Sequence, residues 1–170
     1  MKSCGKQKKS KMQIIYGEYP PNYKAIAKTF KIKGRTNIVF TYGDSLYVPS
    51  GEPVDKYLLR HEETHAKQQT DPVEWWDRYL VDPGFRFTQE LEAYREQYRG
   101  MGDLPLATRI SYLDHIATDL AGEMYGNLVT KDEAKAEITK DIILKHTGTS
   151  SKKDRKIKKM KRQNRKKARR

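Results

Sequence analysis

Residues 54–69 read VDKYLLRHEETHAKQQ. Leu58, Leu59, Glu62, Ala66 and Gln69 recur at helical spacing, Pro53 suits a first helical turn, and Thr70-Asp71-Pro72 stops the run, so a helix is predicted. Within it, His61-Glu62-Glu63-Thr64-His65 has the form H-E-x-x-H. A helix turns once in about 3.6 residues, so side chains four apart share a face and the two imidazoles can converge on one metal ion. Glu62 lies about 100° further round, within reach of a water held by that ion. Zinc brings the pKa of such a water to about 7, and a nearby carboxylate can then take its proton during attack on a carbonyl. The competing reading is an ordinary helix with two unrelated histidines. The helical context and the presence of Glu62 favour the metal.

Catalytic zinc usually has three protein ligands and an open fourth position, so a third donor is expected on a second helix. Residues 85–99, FRFTQELEAYREQYR, form a predicted helix that ends before Gly100 and offers Glu90, Glu92 and Glu96. Glu90 and Glu92 stand about 200° apart on a helix, so only one of them can face the metal. Small Ala93 would let this helix pack closely on the first. Residues 90–94 have the form E-x-x-A-Y.

With both motifs in place the chain resembles the zincin metallopeptidases of gluzincin type, whose second helix carries a glutamate ligand in E-x-x-A-D or a similar motif. The resemblance implies Zn²⁺ held by His61, His65 and Glu90, Glu62 as general base, and a peptide or protein substrate. Glu92 is the rival third ligand. HEETHAKQQ, QELEAYREQ and MYGNLVT also look like stretches of small zincin-like proteins of tailed phages; the resemblance spans residues 57–129. Tyr94 stands where an aspartate often follows the alanine, which leaves open what orients a ligand histidine. In some zincins a tyrosine stabilises the oxyanion. Tyr94 is the candidate here, with His115 a second whose competing role is core packing. Zincins commonly place a strand beside the metal helix, where an extended peptide adds to its edge, and residues 37–42 are expected to form that edge.

The rest of the chain predicts an α+β fold: a helix-dominated, zincin-like domain over residues 12–147 with a small β-sheet. Residues 13–16 read as a strand and 22–30 as a weak helix. NIVFTY (37–42) and SLYV (45–48) read as a hairpin around Gly43-Asp44. Asp71-Pro72 opens a short helix to about Leu80, residues 104–125 form one long helix, and Thr130-x-x-Glu133 is a capping box opening a last helix to about His146. Trp75 and Trp76 are adjacent, so one is expected in the core and one along a groove.

Charge is segregated. The 170 residues carry a formal +13, of which residues 1–11 hold +5 and residues 151–170 hold +12, leaving −4 on residues 12–150. The basic N-terminus (1–11) and the tail (148–170) are expected to be disordered. Lys152, Lys153, Arg155, Lys156, Lys158, Lys159, Lys161, Arg162, Arg165, Lys166, Lys167, Arg169 and Arg170 leave too little apolar surface to build a core. They suit non-specific RNA or DNA phosphates, an acidic protein, or a solubilising role. Ile157 and Met160 alone make neither a base-stacking platform nor a membrane helix. The single Cys4 excludes an internal disulfide and a Cys-rich zinc site. Residues 1–11 lack the apolar stretch of a signal peptide, and no run approaches the ~20 residues of a membrane span. A cytoplasmic protein with no membrane partner is expected, in host cytoplasm or virion if phage-encoded.

Overall fold

The structure, a computed structural model, describes residues 12–148. The expectations for Cys4, for the basic N-terminus and for the cations of residues 151–170 lie outside the described residues. Two units are distinguished, Met1–Ile138 and Thr139–Arg170; only the last turns of the final helix represent the second among the described residues.

The fold is α+β and dominated by helices. Its sheet has three strands, β1 (Gln13–Tyr16), β2 (Phe40–Tyr42) and β3 (Ser45–Val48), in the order β1-β3-β2. β1 runs parallel to β3, with Gln13 opposite Ser45. β2 is antiparallel to β3, with Tyr42 opposite Ser45 and Phe40 opposite Tyr47. The two-residue loop has Gly43 at φ 62° followed by Asp44 at negative φ, the sign pattern of a type II′ turn that matches strand twist. The predicted strand over residues 37–42 is shortened to its last three residues. β3 ends at Val48 before Pro49, which has no N–H to extend the ladder.

Six α-helices lie among the described residues, and four of them open on a side-chain cap. They are α1 (Tyr23–Phe30), α2 (Lys56–Gln68), α3 (Pro72–Val81), α4 (Pro83–Gly100), α5 (Leu106–Leu120) and α6 (Lys131–Gly148). Asp55, not Pro53, starts α2: its carboxylate accepts from the N–H groups of Tyr57 and Leu58. Asp71 and Asp82 cap α3 and α4 in the same way, each followed by a first-turn proline. Thr130 and Glu133 form a reciprocal capping box at α6. The long helix predicted for 104–125 is interrupted at both ends. Leu104 is extended because it precedes Pro105, and after Leu120 the chain breaks at Gly122 into a short 3₁₀ turn, Glu123–Tyr125. No helix among the described residues is long and apolar enough to cross a membrane.

Ile26, Ala27, Ile32, Phe40, Trp75, Trp76 and Tyr79 form the core against which α3 and the sheet pack. Both tryptophans are buried in the core and both also line a cleft, which was expected of one of them; each spends its indole N–H, Trp75 on Gln89 and Trp76 on the Thr41 carbonyl. α2 packs along α4. Ala93 is fully buried between them, and a Cβ at Gly100 would stand 2.7 Å from Cδ of Arg60, so small residues seven apart on α4 set the closeness of the pair.

Candidate metal centre

The close α2–α4 pair brings three side chains together. His61, His65 and Glu90 are all buried. The Nε2 atoms of the two histidines stand 3.0 Å apart. Glu90 Oε2 lies 3.3 Å from Nε2 of His61, and its Oε1 lies 3.2 Å from Nε2 of His65. Ligands of a tetrahedral ion at 2.0–2.1 Å stand about 3.3 Å from one another, so the three spacings match what one small ion requires.

The surrounding hydrogen bonds fix which atoms point inward. Gln97 Oε1 lies 3.0 Å from Nδ1 of His61, and Gln68 Oε1 lies 2.8 Å from Nδ1 of His65. The Gln68 amide is not free to turn, because both partners of its Nε2 only accept. Gln97 Nε2 donates to the Tyr112 hydroxyl at 2.7 Å, and Gln68 Nε2 donates to the Gln89 carbonyl and to Glu92. The Gln68 oxygen therefore faces the His65 ring, which puts a proton on Nδ1 and turns Nε2 toward the centre, and Gln97 stands in the same relation to His61. Two lone pairs and a carboxylate converging within 3.3 Å repel one another unless a cation joins them. The group can hold a metal ion.

The electrostatics agree. Burial works against a charged His65, but the Glu90 carboxylate outweighs it and raises His65 to about 9. Burial alone would raise Glu90; the two imidazoles instead hold it well below the usual carboxylate range. Tyr79 donates to Glu90 Oε1 at 2.6 Å, and burial followed by the Glu90 charge pushes its own hydroxyl well above the ordinary range.

Glu62 is buried beside the centre, and the Thr41 hydroxyl donates to its Oε2 at 2.8 Å. The same cleft, about 670 Å³, is lined by His61, Glu62, His65, Glu90, Tyr94, Tyr112 and residues 37–41. Tyr94 packs edge-on to the His61 ring at 4.8 Å, and burial pushes its hydroxyl well above the ordinary range. Glu92 is exposed and bonded to Gln68, outside the centre. His115 is no core residue: its side chain is 73 % exposed at the cleft rim and pairs with Asp119 at 3.6 Å.

The structure brings together His61 and His65, expected from their spacing, and Glu90, expected from the motif resemblance, while Gln68, Gln97, Tyr79 and Thr41 were missed. Gln68 sits one turn after His65 and Gln97 two turns after Glu90, so both faces were open to inspection. Tyr79 and Thr41 arrive from other elements and leave no local signal. No protein-family model, no curated protein and no solved structure matches the chain.

Proposed function

We propose that the His61–His65–Glu90 centre holds zinc and that the protein is a metallopeptidase. The observation that carries this reading is the convergence of three acceptor atoms at tetrahedral spacing, with a carboxylate that is not a ligand, Glu62, beside them in one cleft. Two imidazoles and one carboxylate favour zinc among common ions. When bound, zinc would supply a Lewis acid and bring the pKa of its water to about 7.

The chain's own groups would do the rest. Glu62 takes a proton from the attacking water as the water oxygen bonds to the peptide carbonyl carbon, and returns it to the leaving nitrogen as the C–N bond breaks. Burial holds the Tyr94 hydroxyl well above its ordinary range, so it keeps its proton for the carbonyl oxygen as negative charge develops there. His115, exposed at the rim, is the alternative donor. β2 is an edge strand on the cleft wall. Its Thr41 carbonyl is already taken by Gln69 and Trp76, so backbone pairing with an extended substrate would fall to residues 37–39.

The test is metal stoichiometry by mass spectrometry, followed by digestion of a mixed peptide library. About one zinc is expected in wild type and Glu62→Gln and none in His65→Ala, with cleavage by wild type alone. A wild-type protein that takes up no zinc on reconstitution would overturn the reading. The segregated charge supports a second, compatible role: the tail holds the enzyme to RNA or DNA by phosphate contacts.

A further inference from the structure

We propose that Thr41 is the positioning residue for Glu62; this rests on Glu62 being the proton acceptor. A carboxylate that must collect a proton from one direction needs one oxygen held and the other left open. Thr41 Oγ1 stands 2.8 Å from Glu62 Oε2 and 3.4 Å from the Glu62 carbonyl. The hydroxyl has one proton, and it goes to the nearer, charged oxygen. Among the described residues Oε1 has no hydrogen-bond partner, so the Thr41 contact decides which oxygen faces the cleft.

Thr41 is itself fixed from three sides. Its side chain is buried, with the residue only 2 % exposed. Its carbonyl accepts from Gln69 Nε2 at 2.9 Å and from Trp76 Nε1 at 3.1 Å, and Gln69 Oε1 in turn accepts from the Gly43 N–H at 2.8 Å. The end of α2 and helix α3 therefore both hold the backbone of Thr41, which fixes where its hydroxyl stands. Burial does not explain it, because valine has the same shape and belongs in a strand equally well. The hydroxyl is needed only for Glu62. Since β2 also lines the cleft, the strand that would meet a substrate carries the group that aims the base.

The test uses cobalt-loaded full-length protein and acetohydroxamic acid, a bidentate metal ligand that shares a proton with a neighbouring carboxylate, followed by visible absorption. Thr41→Val should weaken hydroxamate binding about tenfold at unchanged cobalt content, and Thr41→Ser should restore it to within about twofold. In a Glu62→Gln background the Thr41→Val effect should vanish. If Thr41→Val fails to take up cobalt, Thr41→Ala serves in its place. Equal affinity in Thr41→Val and wild type, or a loss that persists in the Glu62→Gln background, would overturn the assignment. A wild-type protein that binds no cobalt would instead bring down the metal reading itself, and this inference with it.

Discussion

Glu90 has both oxygens engaged: Oε2 faces His61, while Oε1 faces His65 and also accepts from Tyr79. Tyr79 thereby holds the carboxylate in the orientation that serves both histidines. Replacing Tyr79 by Phe removes the donor but keeps the ring, which stacks on Trp75 at 4.6 Å. Zinc affinity should fall about 10- to 100-fold with the fold intact, measured by competition with a chromogenic chelator beside circular dichroism. Unchanged affinity would show that the two imidazoles alone orient Glu90. At this scale the ligands were legible because α-helical geometry alone relates His61 to His65 and excludes Glu92 once Glu90 faces inward. Tyr79 was not, because its eleven-residue separation from Glu90 crosses two helices. Glutamines, not carboxylates, stand on the Nδ1 atoms of both histidines. A neutral amide oxygen orients a ring without adding charge to it.

Helix caps were the most legible elements, because a cap is satisfied within three or four residues. Asp71-Pro72 and the Thr130–Glu133 box stand where their sequences put them. Elements whose limits depend on a neighbour read less well. β2 is short because its partner strand ends at Val48, before Pro49, and the start of α2 is set by the Asp55 carboxylate rather than by the nearby proline. The α2–α4 contact combines both kinds of information: Ala93 is small in sequence, but only the packed pair shows that it is fully buried beside the ligands. Ala93→Leu should push the helices apart, separate Glu90 from the two Nε2 atoms and abolish stoichiometric zinc, at a stability cost of about 1–3 kcal/mol. Zinc content and a urea melt together check this. Full zinc occupancy in the variant would mean that the pair adjusts without moving its ligands.

At the scale of the whole molecule the charge distribution separates two tasks. Residues 12–150 carry a net −4 and contain every residue of the metal centre; residues 151–170 carry +12. A mildly acidic body repels a polyanion, so any attraction to nucleic acid must come from the basic ends, chiefly the C-terminal one. Binding to single-stranded RNA should therefore weaken steeply with salt, with a log–log slope reaching about −9 if all thirteen tail cations engage phosphates. It should show little sequence preference, since the tail has no aromatic residue to stack on a base. Truncation after residue 150 should remove the salt-sensitive component while leaving zinc stoichiometry at the wild-type value, because His61, His65 and Glu90 all lie within Met1–Ile138. Fluorescence anisotropy across a salt series, with metal analysis of the same samples, measures both. Salt-sensitive binding that survives truncation would move the nucleic-acid contact onto the acidic body or the short N-terminal cluster. Zinc lost on truncation would show that the tail supports the centre rather than acting apart from it.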